Sequence, residues 1–174
     1  NNMLFNENIW YYFPHALFKL VNPEGYAAEH PDWYSSSLGQ PCYSSAGFRA
    51  QFIESVKIVI LDNPTICFIP AGPEDEDNAT CTCADCLRDE ELYGYSGLVV
   101  RWLNSAVEEL EAWRVEMGIE RQIYYPLLAY YETRQPPIKR GKEGVFEPID
   151  ESCVLNELSP VIYAPIEADF TKPI

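Results

Sequence analysis

Short apolar runs that alternate with helix-forming segments are the feature that most restricts how this chain can fold. Four runs are rich in β-branched and aromatic residues, at 9–13 (IWYYF), 65–70 (TICFIP), 121–132 (RQIYYPLLAYYE) and 160–166 (PVIYAPI). Between them, residues 46–63 and about 97–117 repeat apolar side chains at helical spacing, with Ser96 placed to cap the second helix. Buried strands that alternate with amphipathic helices are typical of a parallel sheet. The order therefore predicts an α/β fold with a parallel sheet.

The number of predicted strands limits the architecture. A chain of 174 residues with 47% hydrophobic residues can form one domain with a sizeable core, so we expect a single α/β domain over 1–174. Four strands cannot close an eight-stranded barrel. The alternatives are a small open sheet and the middle of a barrel whose ends lie outside this sequence.

Charge and composition exclude some classes of partner. The net charge is −15, so the chain is expected to repel nucleic acid and anionic membranes and to favour a neutral or cationic ligand. No apolar run approaches the ~18 to 20 residues of a membrane helix, and the N-terminus does not have the pattern of a signal peptide. Aromatic residues make up 14% of the chain, which suits ligand-facing surfaces as well as a core.

Polar residues follow each predicted strand. They are His15 after the first, Glu74, Asp75, Glu76 and Asp77 after the second, Glu132 and Arg134 after the third, and Glu167 and Asp169 after the fourth. In α/β barrels the carboxyl ends of the strands build the active site. Two carboxylates that converge from different strands are what glycoside hydrolysis requires, one as proton donor and one as nucleophile or base.

The pattern yields candidate residues for such a site. We predict Asp77 or its neighbour Asp75 as the general acid and Glu132 or Glu167 as its partner. His15, Trp33 and Tyr131 are predicted to contact sugar, because aromatic rings stack on sugar faces. The alternatives are an acidic loop that is merely solvated and aromatic rings that serve only packing, including a rigid turn at HPDWY.

A second motif, C-x-C-x-x-C at Cys81, Cys83 and Cys86, points to a metal site. Zinc in structural sites takes four ligands, so a fourth must come from elsewhere. Cys42 is the best candidate, because it follows the first strand's loop and neighbouring parallel strands would bring both loops to the same end of the sheet.

Other outcomes remain open for the cysteines. The cysteines could instead be free thiols, or Cys42 could form a disulfide with one of the other three. For a metal site, Cys153 is the second choice as fourth ligand. Cys67 lies inside a predicted strand and is expected to be a plain buried thiol.

Several stretches in order resemble the bacterial domain of unknown function 4838 family. They are HALFKLVNPEGYAAEHPDWYS, QPCYSS, DNATCTCADC, YSGLVVRWLNSAVEEL, LAYYETRQPP and APIEADFTKPI. The resemblance implies the central part of a glycosidase-type (β/α)₈ barrel, a partial TIM-like barrel similar to those of α-glucuronidases and hexosaminidases. It also implies a bacterial, multidomain protein that is secreted or at the cell surface and acts on glycans. Asp77-Asn78 matches an Asp-Asn pair common in the family.

Two further expectations follow for a carbohydrate-active fragment of this kind. The rival to a glycoside hydrolase is a non-catalytic glycan-binding or zinc-stabilised scaffold domain. Exposed sheet edges of such a fragment favour a homodimer.

Overall fold

The computed structural model describes residues 9–12, 15–76, 79–141 and 144–163. These residues form four α-helices, four β-strands and three single-turn 3₁₀ helices. The helices are α1 Leu17–Leu20, α2 Pro23–Tyr26, α3 Ala46–Asp62 and α4 Ala84–Glu116. The strands are β1 Leu127–Ala129, β2 Ile138–Arg140, β3 Phe146–Pro148 and β4 Val161–Tyr163. The 3₁₀ turns are Pro31–Trp33, Tyr131–Thr133 and Glu151–Cys153.

Extended segments from all four predicted strand regions lie side by side in chain order. Tyr11 N–H donates to the Phe68 carbonyl (2.8 Å), and Ile69 N–H donates to the Tyr124 carbonyl (2.9 Å). Phe68 forms parallel bridges to both Trp10 and Tyr124. β1 then pairs in parallel with β4, in the register Leu127 to Val161. The described residues thus combine helices with a small parallel sheet, which confirms the predicted parallel pairing, and they form no closed barrel.

Among the described residues, regular strands occur only in the third and fourth segments, and a proline shortens the third. Pro126 has no N–H to donate and interrupts the long run that was predicted as one strand. Hydrogen bonds still join this segment to both neighbouring segments. The Pro126 carbonyl accepts from Ala71 N–H (2.9 Å), and Leu127 N–H donates to the Pro160 carbonyl (3.0 Å).

The two long helices cover the sheet and form the core with it. Ser45 caps α3 by accepting from Phe48 N–H (3.3 Å), which confirms the predicted start of this helix. Phe48 and Phe52 are fully buried, and the Phe52 ring lies 4.9 Å from the ring of Trp102 on α4. Burying rings of this size contributes about 1.5–3 kcal/mol each.

α4 consists of two helical stretches that meet at a kink at Gly94, whose φ of 69° is accessible to glycine at little cost. The predicted helix corresponds to the second stretch, and a first stretch that was not predicted begins at Ala84. Ser96 lies two residues after the kink and does not act as the predicted cap. Its hydroxyl donates instead to the Glu132 carbonyl (3.2 Å), which ties α4 to the loop after β1.

Two regions outside the predicted helices and strands contain short regular elements. The polar segment after the third strand forms an antiparallel hairpin of β2 and β3, with Lys139 opposite Glu147. The long loop before α3 contains α1 and α2, and the Asn22 side chain caps α2 by accepting from Glu24 N–H (2.9 Å). Within the described ranges, no helix is both long and apolar enough to cross a lipid bilayer.

Trp33 packs where only a glycine fits beside it. A Cβ on Gly47 would lie 2.7 Å from Cε2 of Trp33, and the Trp33 ring is stacked on His30 at 4.1 Å. We expect Gly47→Ala to lower the free energy of unfolding by about 1–3 kcal/mol, because the ring must leave its stack. Gly25→Ala is the matched control, since a Cβ there meets nothing within 4 Å.

Urea unfolding of both variants measures this difference. Equal stability of the two alanine variants would show that Trp33 is not fixed by Gly47.

Candidate functional site

A four-cysteine cluster lies where the first turn of α4 meets the segment before α3. The Cys42, Cys81, Cys83 and Cys86 sulfurs all lie within 4.8 Å of one another. The Cys83 sulfur caps α4 by accepting from Cys86 N–H (3.4 Å), so the helix start itself orients two of the four. Cys42 is thus the fourth member, as predicted, whereas Cys153 and Cys67 are outside this cluster.

Two of the sulfur separations match those of a tetrahedral metal site. Zinc–sulfur bonds of about 2.3 Å in a tetrahedron place the sulfurs about 3.8 Å apart. The Cys42 sulfur lies 3.7 Å from that of Cys83 and 3.8 Å from that of Cys86. These distances are far longer than the ~2.05 Å of a disulfide bond. The four cysteines are therefore close enough to hold a metal ion, and the described cysteines are all free thiols.

Hydrogen bonds favour the thiolate form of Cys86, whereas neighbouring thiols and burial raise the pKa of Cys42, and burial raises the pKa of Cys81. The hydrogen bond with Cys42 lowers the pKa of Cys86 to about 5 and raises the pKa of Cys42, because the two sulfurs share one proton. Ser44 Oγ lies 3.0 Å from the Cys86 sulfur and also lowers the pKa of Cys86. Outer hydrogen bonds of this type orient the ligands of metal sites.

A second set of polar residues meets at the carboxyl ends of the first two extended segments. His15 Nδ1 lies 2.8 Å from the Pro73 carbonyl, which can only accept, so this nitrogen carries the proton. Glu74 Oε1 accepts from Phe18 N–H at 2.8 Å. The residues after the first segment are therefore in direct contact with those after the second, as the parallel order requires.

Gln40 holds the acidic loop from inside the protein. Its side chain is almost completely buried, and its Nε2 donates to the carbonyls of Glu74 (2.7 Å) and Glu76 (3.1 Å). Its Oε1 accepts from Glu74 N–H (3.1 Å). Because Cys42 is only two residues further along, the same short segment binds the loop through Gln40 and the cluster through Cys42.

Two buried tyrosines connect the acidic groups of neighbouring segments. Burial raises the pKa of Tyr43, and the nearby Tyr95 and the Glu74 charge raise it further. Burial likewise raises the pKa of Tyr95, followed by the charge of Glu132. The rings of Tyr43 and Tyr95 meet edge to face at 6.1 Å. Glu74 and Glu132 thus flank one tyrosine pair.

Strained backbone is concentrated at this same edge. Among the described residues, the non-glycine positions with positive φ are Tyr12 (46°), Leu38 (58°) and Tyr131 (45°). Tyr12 follows the first extended segment and Tyr131 follows β1, while Leu38 lies beside Glu74 in a cleft of about 520 Å³. Such conformations cost about 1–3 kcal/mol for bulky residues and cluster at functional sites.

A larger cleft of about 730 Å³ lies elsewhere, between α3, α4 and residues 151–156. Arg49 in this cleft pairs with Glu109, and Arg88 pairs with Asp85 and Asp89. The guanidinium of Arg101 lies over the Tyr93 ring at 3.8 Å, and its Nη1 has no hydrogen-bond partner among the described residues. We place the candidate site at the smaller cleft, because it lies at the carboxyl ends of parallel segments, where sites in α/β folds form.

The model of the family designated Domain of unknown function (DUF4838) matches residues 2–173. This chain belongs to that family. No curated protein and no solved structure matches it. The family membership predicted from the sequence is therefore confirmed.

Four of the predicted site residues of this DUF4838 chain lie at or near the carboxyl ends of the extended segments. His15 lies at the edge and contacts the acidic loop, and Asp75 is exposed beside Glu74. Glu132 and Tyr131 follow β1, and the Tyr131 ring lies 4.0 Å from that of Tyr130. The roles predicted for these four remain predictions.

The other three predictions differ in how much the structure describes. Trp33 is half-buried in a stack with His30 and Tyr26, which matches the alternative of a rigid turn packed by its rings. The contact of Trp33 with sugar remains a prediction. Asp77 and Glu167 lie outside the residues that the structure describes.

Sequence reasoning gave too little weight to Glu74 and did not find Gln40 or Ser44. Glu74 is the first acid after Pro73, so a sharper reading of its position could have singled it out. Gln40 and Ser44 carry no such signal, because their importance arises only from contacts with residues 34 and 42 positions away.

Proposed function

We propose that this chain is the central part of a glycosidase-like (β/α)₈ barrel that hydrolyses glycans and is stabilised by a structural zinc ion. The observation that carries the proposal is the parallel alignment of four segments in consecutive order, with His15 and the acidic loop in contact at their carboxyl ends. Consecutive order is the order of a barrel, whereas doubly wound sheets reverse direction at a switch point.

The acid–base chemistry would use carboxyl groups from two different segments. A protonated carboxyl on the loop after the second segment would protonate the leaving oxygen, with Asp75 and Asp77 as the residues predicted for this role. Glu132 or Glu167 would act as nucleophile or activate water. His15, Trp33 and Tyr131 would contact the sugar.

The cysteine cluster would hold zinc in a purely structural role. Four sulfur ligands fill a tetrahedral site and leave no position open for substrate. Such an ion would join the segment before α3 to the start of α4, and so would fix the acidic loop that runs between the second extended segment and Cys81.

Turnover of aryl glycosides, including uronic-acid substrates, tests the enzymatic proposal. We expect the wild-type protein to hydrolyse at least one of them and Glu132→Gln to lose about 10²-fold or more of kcat/KM, which is typical for removal of an acid–base group. Glu147→Gln is the matched control, because Glu147 lies on the exposed hairpin opposite Lys139.

Two other results would contradict hydrolysis. Binding of glycans without turnover of any of them would favour the non-catalytic glycan-binding alternative. Metal binding with neither glycan binding nor turnover would favour the zinc-stabilised scaffold, for which the sulfur geometry is the supporting observation. Localisation outside the cytoplasm of a bacterium and a homodimer through sheet edges also belong to the proposal, and light scattering tests the dimer.

A further inference from the structure

We propose that Glu74, rather than its exposed neighbours, is the proton donor of this site, an inference that rests on the proposed glycoside hydrolysis. A proton donor in hydrolysis must reach the substrate and yet be shielded enough to stay protonated. Glu74 combines both properties in the described part of the acidic loop.

The first argument is position within the cleft. Glu74 lines the cleft of about 520 Å³ together with the apolar side chains of Phe18 and Leu38 and the polar Ser37, Asp75 and Glu76. Glu74 is half-buried there, whereas Asp75 and Glu76 are exposed. Partial burial removes water from the Glu74 carboxyl group and disfavours its charged form.

The second argument is the balance of groups around the carboxyl. Burial raises the pKa of Glu74 and outweighs the opposing effects of Phe18 N–H, Leu17 N–H and the charges of His15 and Lys19. Tyr43 lies on its inner side and is affected by its charge. The net result favours the protonated form at a higher pH than for an ordinary glutamic acid.

The third argument is that the loop is held in one position. Gln40 binds the backbone of Glu74 at both its N–H and its carbonyl, and His15 binds the carbonyl of Pro73 just before it. An acid that must meet a leaving oxygen within hydrogen-bond reach requires such fixation.

The proposed step is balanced as an ordinary hydrolysis. The glycosidic carbon–oxygen bond breaks, its electrons remain on the leaving oxygen, and that oxygen takes the proton of Glu74. Water adds to the sugar carbon and loses a proton to the partner carboxylate, and proton exchange with solvent restores Glu74. No oxidant, reductant or cofactor is consumed.

Leaving-group dependence distinguishes a proton donor from a structural residue. The test compares 2,4-dinitrophenyl and 4-methoxyphenyl glycosides of one sugar that the wild-type protein hydrolyses. We expect Glu74→Gln to lose about 10²- to 10⁴-fold with the methoxyphenyl glycoside and less than about tenfold with the dinitrophenyl one, whose leaving group needs no proton. The basic limb of the pH profile of kcat/KM should also disappear.

The variant keeps the structural contact, and a glutamate away from the cleft supplies the control. A glutamine oxygen can still accept from Phe18 N–H, so the fold should remain intact, as circular dichroism will check. Glu147→Gln on the exposed β2–β3 hairpin should change both rates by less than about threefold, because this side chain is exposed and does not line the cleft.

Equal losses with both glycosides would overturn the inference and assign Glu74 a structural role. So would a Glu74 pKa at or below the ordinary glutamate range, measured by carbon NMR titration against Glu74→Gln. Lack of turnover by the wild-type protein would instead contradict the proposed function, and with it the proton-donor role.

Discussion

Cys42→Ser is expected to weaken zinc binding at least about 100-fold and to lower the melting temperature of the zinc-loaded protein. Three of the four sulfurs come from the first turn of α4 and the residues just before it, and Cys42 supplies the fourth. The Cys42 sulfur lies 3.7 Å from that of Cys83 and 3.8 Å from that of Cys86. Changes in hydrogen-bonding partners of metal ligands already cost about 10–100-fold in affinity, so loss of a ligand should cost more. Structural zinc contributes directly to folding free energy, so the apparent stability should fall with the affinity.

The measurement is a competitive zinc titration together with elemental analysis and thermal unfolding with and without chelator. Cys67→Ser is the matched control, because Cys67 is a half-buried thiol that lies outside the cluster. Zinc affinity that is unchanged in Cys42→Ser, or a wild-type protein that contains a Cys42 disulfide instead of metal, would contradict the metal site.

Gln40→Leu should lower the free energy of unfolding by about 3 kcal/mol while it leaves the metal content unchanged. The side chain is buried and bonds one N–H and two carbonyls of the acidic loop, and each buried polar group left unpaired costs about 1–3 kcal/mol. Leucine fills a similar volume, so the loss reports the hydrogen bonds rather than a cavity. Gln40 bonds none of the four sulfurs, which is why the metal should stay.

Urea unfolding and elemental analysis of the same samples check both halves of this expectation. Gln51→Leu on α3 is the control, since Gln51 is half-buried and donates to Ser55 on the same helix. We expect that control to change stability by less than about 0.5 kcal/mol. A Gln40→Leu protein as stable as wild type would show that the acidic loop is held by other contacts.

The sequence was informative wherever a local pattern determines structure. Apolar periodicity predicted α3 to within one residue, because its buried positions Phe48, Phe52 and Val56 repeat every four residues. The spacing of Cys81, Cys83 and Cys86 indicated a candidate metal-binding loop, and strand order then indicated Cys42, whose sulfur lies in the same cluster. Parallel strand order can be predicted in this way because chain connections in α/β folds follow strict rules.

Features that depend on tertiary contacts were not predictable. Ser96 has the chemistry of a cap, but the kink that precedes the second stretch of α4 lies at Gly94, two residues earlier, and the Ser96 hydroxyl bonds the Glu132 carbonyl instead. The β2–β3 hairpin is exposed and charged, so it lacks the alternating apolar pattern by which strands are recognised. Gln40 is polar in sequence and buried in the fold, and no local pattern indicates which side chain will be enclosed.

Three of the four clustered cysteines are close in sequence, and the fourth, Cys42, is distant from them. Cys81, Cys83 and Cys86 are neighbours in the chain and can capture an ion while the rest is still unfolded, whereas Cys42 lies 44 positions from Cys86. In a metal-bound protein, the bond to Cys42 would therefore form only when distant parts of the chain have docked. With cobalt in place of zinc, the change from three to four sulfur ligands would be visible in the absorption spectrum. The absorption of the bound cobalt would then report when Cys42 reaches the other three cysteines during folding.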